Sequence, residues 1–339
     1  MGSGCSCTDT KKRRQSVIHP IQIHMNVYSR KSLELQKKDQ STNLKWNKLL
    51  ETYSKYTEPI TQFKKQEPTK FFKMLFKGPP KSLRWQVWKV ALDVTENPQQ
   101  YQALLSSNTL SENKSSISKD ITRTFPELHY FSQEDGCSAL SKVLEAYCNS
   151  ESNVGYCQGM NYVAGFLLLI AEGEESEAFA VFHHLCLNGV SELFKQGFPL
   201  VFEMCRVFHE SLSLSNQKLE NYFQNNELDD NLWLIKWFLT LFVYSVKLEY
   251  ATRIWDCVFA RGLGFLVNVA LGFVTNFKTQ IKTKSPTEFL ELINSFRSAE
   301  IDIEKVLAVA DKTQLQQPDF LEAYVKENNT TENDKFNQH

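Results

Sequence analysis

The sequence is poor in glycine and proline, with 13 and 10 in 339 residues. That scarcity excludes a collagenous chain and a low-complexity linker. It also lacks an excess of charge: 38 Lys and Arg face 39 Asp and Glu, which excludes a strongly basic nucleic-acid wrapper. Long apolar runs are missing as well. The longest, Tyr162 to Ala171, is half of the ~20 residues that a membrane-spanning helix needs. Leu232 to Val246 is broken by Lys236, and Cys257 to Val274 by Arg261 and Asn268, so these stretches are expected to be buried helices. The eight cysteines contain no C-x-x-C pair, and none joins a histidine at zinc spacing. No metal site is expected, and the thiols read mostly as core filler in a reducing compartment. Nor does the chain hold G-x-x-x-x-G-K-[ST], G-x-S-x-G or H-E-x-x-H, so it does not read as a nucleotide hydrolase, a serine hydrolase or a zincin in its own right.

What is present is a globular composition, 42% hydrophobic and 12% aromatic, long enough to bury a sizeable core. Its apolar residues recur with a helical period. Trp46, Leu49, Leu50 and Tyr53 share one face, as do Leu140, Val143, Leu144 and Tyr147, and Trp233, Leu234, Trp237, Phe238 and Leu241 form a wide stripe. Gly78-Pro79-Pro80 fixes an extended entry to a helix carrying Leu83, Val87, Trp88 and Ala91, with Ser82 as its expected N-cap. The Ser/Asn/Gln-rich stretch from Asn97 to Ser118 reads as a helix end and a surface loop. Strand-like alternation is confined to Ile21, Ile23, Met25 and Val27, a short strand or an extended docking segment. The expected architecture is therefore all-α: a basic tail over 1–40, one large helical domain over 41–328, and a polar tail over 329–339.

Charge is distributed unevenly. Residues 1–40 hold eight basic residues against three acidic ones in a chain whose total is −1, so the tail is basic and the body mildly acidic. The tail opens Met1-Gly2-Ser3-Gly4-Cys5-Ser6-Cys7 and continues to Lys11-Lys12-Arg13-Arg14. This fits the M-G-x-x-x-[ST] pattern for myristoylation of Gly2, with Cys5 and Cys7 placed for palmitoylation and a basic cluster for anionic lipid. One myristoyl chain binds membranes only marginally, with K on the order of 10⁴ M⁻¹, but a second acyl chain or basic residues at about 1 kcal/mol each make the anchoring stable. A peripheral membrane address is thus expected for an otherwise cytoplasmic chain.

Taken singly, the residues that bear chemistry say little. Arg123 alone reads as a surface cation, and Asp120 as its i,i+3 partner. Together they form a pattern. Ile117-Ser-Lys-Asp120-Ile-Thr-Arg123, followed by Thr124-Phe125-Pro126, and then Tyr156-Cys-Gln158-Gly159-Met160-Asn161 resemble the two signatures of the TBC domain family, I-x-x-D-x-x-R and Y-x-Q-G-M. Gly78-Pro-Pro-Lys-Ser-Leu-Arg84-Trp-Gln-Val-Trp88 is similar to the family's opening motif, with Pro79 where an aliphatic residue is usual. Trp237-Phe238 through Leu241-Phe242 to Arg253-Ile254-Trp255-Asp256 is similar to its C-terminal half. The resemblance covers residues 44 to 320, approximately.

That resemblance implies an all-helical GTPase-activating protein for GTP-bound, Rab-type small GTPases. Such a protein hydrolyses nothing alone and needs no cofactor, because GTP and Mg belong to the partner. No nucleic-acid partner is expected. By resemblance, Arg123 is the arginine finger and Gln158 the glutamine finger that replaces the GTPase's own water-positioning residue. Asp120 would then orient Arg123, Pro126 end the local helix, and Gly159 let backbone approach the nucleotide. Tyr156 and Asn161 would brace the loop or touch the GTPase. For Trp88, Trp237 and Trp255 the expectation is core, and for Arg84 and Asp256 a buried polar pairing. An effector or scaffold of the same fold, binding a GTPase without accelerating hydrolysis, is the alternative; loss of either finger residue would favour it, and both are present.

Overall fold

A computed structural model describes residues 32–151 and 154–324, and among the described residues the chain is helical with no strand. The first half contains α1 (Ser32–Glu51), α2 (Pro59–Gln66), α3 (Pro68–Lys77), α4 (Lys81–Ala91), α5 (Pro98–Leu105), α6 (Ser111–Ile121), α7 (His129–Ser132) and α8 (Glu134–Ser150). Then come α9 (Met160–Ile170), α10 (Glu175–Leu187), α11 (Pro199–Asn225), α12 (Leu234–Leu239) and α13 (Leu248–Arg261). The last are α14 (Phe265–Asn276), α15 (Lys278–Ile281), α16 (Pro286–Ser295) and α17 (Ile303–Lys312). Short 3₁₀ turns lie at Val190–Phe194 and Asp230–Leu232. The tail residues 1–31, with the alternating segment and the acylation motif, and the polar residues 325–339 lie outside the described residues.

Local chemistry sets the helix starts. Proline opens α2, α3, α5, α11 and α16, where its missing N–H costs nothing and its fixed φ suits a first turn. Ser285 and Glu288 close a capping box on α16. At α4 the expected cap is displaced: Pro80, not Ser82, occupies the N-cap with ψ 153, and Gly78 at φ 95 turns the chain into it. Two consecutive prolines hold the backbone extended up to Lys81, so the helix begins at the first residue free of them. The stretch from Asn97 to Ser118 also differs from expectation. It forms α5, capped by Asn97 accepting from the Gln100 amide, and most of α6, which buries only Ile117, Asp120 and Ile121. So few inward positions leave a weak apolar period, which is why a helix there reads as loop.

Helix α8 is the hub of the first half, with α5, α6, α7, α9 and α10 packed around it. Its stripe Leu140, Val143, Leu144 and Tyr147 is fully buried, as the period predicts. In the second half α14 packs along α17, while α13 lies on α3 and so ties C-terminal sequence to N-terminal. Trp88, Phe166, Trp255 and Phe259 meet where these groups join, with ring centroids 4.8–6.3 Å apart. Fully burying each such side chain is worth roughly 1.5–3 kcal/mol. The expected Arg84–Asp256 pairing is there at 3.2 Å, and the fully buried Asp256 also accepts from Trp88 Nε1 at 2.8 Å and Arg253 Nη1 at 3.0 Å. Such a charge is tolerated only because its oxygens are satisfied. The stripe from Trp233 to Leu241 is buried as expected but is no continuous helix, because Leu241 and Phe242 turn to φ 47 and 66. Phe242 N–H bonds back to the Trp237 carbonyl at 2.8 Å, and Trp255 Nε1 to the Leu241 carbonyl at 3.0 Å.

Candidate functional site

Helix α6 ends at Ile121, and Arg123 occupies the turn that follows, its N–H bonding to the Asp120 carbonyl at 3.2 Å. Arg123 points outward with its side chain 51% exposed, while Asp120, one turn back, is buried. The Asp120 carboxylate accepts from Arg123 Nη2 at 2.6 Å with one oxygen and from Tyr156 Oη at 2.6 Å with the other. Burial and then the hydrogen bond to Asp120 push the Tyr156 hydroxyl well above its ordinary range, so it stays a proton donor and the carboxylate an acceptor.

Beyond Arg123 the chain reverses. Phe125 sits at φ 46, a left-handed conformation costing on the order of 1–2 kcal/mol for a residue with a Cβ; its buried ring holds it there, 5.7 Å from Phe131 and 5.4 Å from Tyr162. Tyr162 Oη donates to the Arg123 carbonyl at 3.2 Å. Helix α9 admits this turn because it carries Gly165. A Cβ there would lie 3.2 Å from the Phe125 ring and 3.3 Å from the Thr124 methyl.

Gln158 is exposed on the segment just before α9. Gly159 beside it has φ 112, and an added Cβ would lie 3.3 Å from the Leu239 carbonyl. Glycine is therefore demanded by backbone conformation and by inward packing against the end of α12, whereas the sequence pointed to a close approach to nucleotide; Gly159 is buried. Asn161, fully buried, accepts from the Gly159 N–H at 3.0 Å and donates to Thr124 Oγ1 at 2.8 Å. Thr124 Oγ1 in turn donates to the Asp120 carbonyl at 2.7 Å. Asn113 of α6 accepts from the Tyr156 N–H at 3.2 Å. Of the two roles open to Asn161, its burial leaves the brace.

The structure thus brings together Asp120, Arg123, Tyr156, Gln158, Gly159 and Asn161, stitching the Gln158 segment to the Arg123 turn. Sequence reading gave no role to Asn113, Thr124, Tyr162 or Gly165, although Thr124 and Tyr162 directly follow the motifs. Cys157, next to Gln158, is partly buried, and burial followed by the Asp120 charge pushes its thiol up to about 11, so it is no nucleophile at neutral pH. Gly2, Cys5 and Cys7 lie outside the described residues. No helix among the described residues is long and apolar enough to cross a membrane.

Known proteins share this arrangement of helices. The chain is 32% identical over 212 residues to "Growth hormone-regulated TBC protein 1-A" of Danio rerio, covering 60% of this chain and 59% of that one. It is 30% identical over 222 residues to "GTPase-activating protein GYP5" of Saccharomyces cerevisiae, 64% of this chain and 24% of that one. The chain thus spans from a quarter to three fifths of the length of these relatives. Its fold matches the crystal structure of the Chlamydomonas flagellar RabGAP TBC domain with a TM-score of 0.66 at 23% identity, over 81% of this chain and 94% of that one. The model of the Rab-GTPase-TBC domain matches residues 81–282, more than half of the sequence, with both signature segments inside it, and the chain belongs to that family.

Proposed function

We propose that this chain accelerates GTP hydrolysis by Rab-type small GTPases, lending Arg123 and Gln158 to an active site whose GTP and Mg belong to the partner. The carrying observation is that two exposed polar side chains stand on one largely buried network, Asp120–Tyr156 and Thr124–Asn161–Gly159, joined through Thr124 and the Asp120 carbonyl. Phosphoryl transfer spreads charge over the β/γ oxygens. A planar, permanently cationic guanidinium donates several hydrogen bonds there, while a carboxamide accepts from the attacking water and donates to the γ-phosphate. An arginine held in advance by a buried carboxylate has less rotamer freedom to lose when it meets those oxygens. The yeast relative's name, a GTPase-activating protein, agrees with this reading.

Single-turnover GTP hydrolysis across a panel of small GTPases tests it. Wild type should accelerate at least one, and Arg123→Ala or Arg123→Lys should lower that rate by about 10³ to 10⁵, because lysine keeps the charge and loses the fork. Either variant retaining more than about a tenth of the wild-type rate sinks the assignment.

A membrane address completes the proposal. Myristate on Gly2 and palmitate on Cys5 and Cys7, beside Lys11 to Arg14, would hold the chain on the surface that carries lipid-anchored GTPases and raise their effective concentration.

A further inference from the structure

The turn carrying Arg123 is held at its start by Asp120 and Tyr162. A second hold reaches its far end from distant sequence. Arg297, which follows α16, donates through Nη2 to Glu127 Oε1 at 2.7 Å, across 170 residues of sequence. The same guanidinium lies 4.7 Å from the centroid of the Tyr244 ring. Tyr244 packs edge-on against Tyr162 at 4.8 Å, and Tyr162 bonds to the Arg123 carbonyl. The contacts therefore close a ring: Arg297, Tyr244, Tyr162, the Arg123 turn, Glu127 and back to Arg297.

Surface ion pairs alone contribute little. Here the Arg297 side chain is only 35% exposed, and a planar guanidinium lies on an aromatic face while pairing with a carboxylate through a rigid fork of donors that an ammonium lacks. The turn needs such a hold, since Phe125 keeps it in a left-handed conformation while Pro126 and Glu127 stand exposed. Arg297 lies past residue 282, where the family match ends, so this contact is outside the signatures that identify the family.

We propose that Arg297 is a positioning residue for the arginine finger, clamping the outer end of the 123–127 turn to the C-terminal half of the domain; the proposal rests on the finger reading of Arg123. Without the clamp the turn samples other conformations, and Arg123 reaches the transition state less often. Binding of the GTPase is left unchanged.

The test compares wild type with Arg297→Gln, Arg297→Lys, Glu127→Gln and the double glutamine variant, in GTP hydrolysis at varied GTPase concentration and in amide hydrogen exchange of residues 122–128. Arg297→Gln should lower kcat about tenfold with KM within about twofold, as a misplaced catalytic group does. Amide exchange in the turn should rise about tenfold while α8 is unchanged. Arg297→Lys should regain part of the loss, and the double variant should be no worse than Arg297→Gln alone. A raised KM at constant kcat would overturn the proposal and make Arg297 a direct GTPase contact. Unchanged exchange, or losses that add, would overturn it too. Glu127 is 52% exposed, so its substitution spares the fold; if Arg297→Gln loses activity while Glu127→Gln loses none, the clamp to Glu127 is refuted. An active wild type with an unaltered Arg297→Gln refutes this inference alone, whereas a wild type inactive on every GTPase overturns the finger reading and the inference with it.

Discussion

Removing Asp120 separates Arg123, the proposed finger, from the carboxylate that holds it. Asp120→Ala deletes both the 2.6 Å contact to Arg123 and the 2.6 Å acceptor of Tyr156 Oη. Two costs follow, and they differ in kind. The partly buried Tyr156 hydroxyl is left without its acceptor, about 1–3 kcal/mol of folding stability. Arg123 regains rotamer freedom that docking must then remove, at most about 2 kcal/mol for such a side chain. A loss of about 1–2 kcal/mol in transition-state stabilisation is about a 5- to 30-fold fall in GAP-stimulated rate, far short of the 10³ or more expected from deleting Arg123. Asp120→Asn keeps one acceptor oxygen and should fall between wild type and Asp120→Ala. Single-turnover hydrolysis and urea unfolding of the three proteins measure both costs. The decisive comparison is Asp120→Ala with Arg123→Ala: if Asp120 acts through the finger, the double variant is no slower than Arg123→Ala alone. A double variant slower by the full product of the two effects, or an Asp120→Ala rate within twofold of wild type, refutes the reasoning.

If Gln158 positions the attacking water, wild type should activate a GTPase whose own catalytic glutamine is replaced, and Gln158→Ala should not; binding without acceleration by wild type would contradict the two-finger mechanism. His209 gives a pH dependence. Burial alone would lower its pKa, but hydrogen bonds to Asp230 and Glu220 outweigh burial and push it up to about 9. A folded pKa above the unfolded value of about 6.5 means that the stabilisation is complete below pH 6.5 and is lost as pH rises through 9, on the order of 3 kcal/mol in all. Urea unfolding from pH 6 to 9.5 should show that slope in wild type and lack it in His209→Asn. For the tail, Gly2→Ala should release the chain fully to the cytosol with GAP activity in solution unchanged, while Cys5→Ser with Cys7→Ser should leave weak, reversible membrane binding. Cell fractionation reads this out, and a soluble wild type or a membrane-bound Gly2→Ala would remove the acylation hypothesis.

Sequence by itself determined the helical class, the family and most of the core. Leu140, Val143, Leu144 and Tyr147 are legible because a helix repeats within a few residues, and any window of that size carries the signal. Arg123 and Gln158 are legible because each stands in a short, ordered motif. Backbone path was less so: the stripe from Trp233 to Leu241 has a helical period, yet it breaks at Leu241 and Phe242, where the hydrogen bond from Trp255 is made by a residue 14 positions later. Tertiary structure alone decided the partners. Tyr156 lies 36 residues from Asp120, Asn161 37 from Thr124, and Arg297 170 from Glu127. A polar side chain has the same local setting whether it faces water or a buried acceptor, and only the packing of α6, α9 and the segments after α12 and α16 brings each donor to its acceptor. That is why the sequence names Arg123 and Gln158, the two proposed fingers, and the fold supplies the network on which they stand.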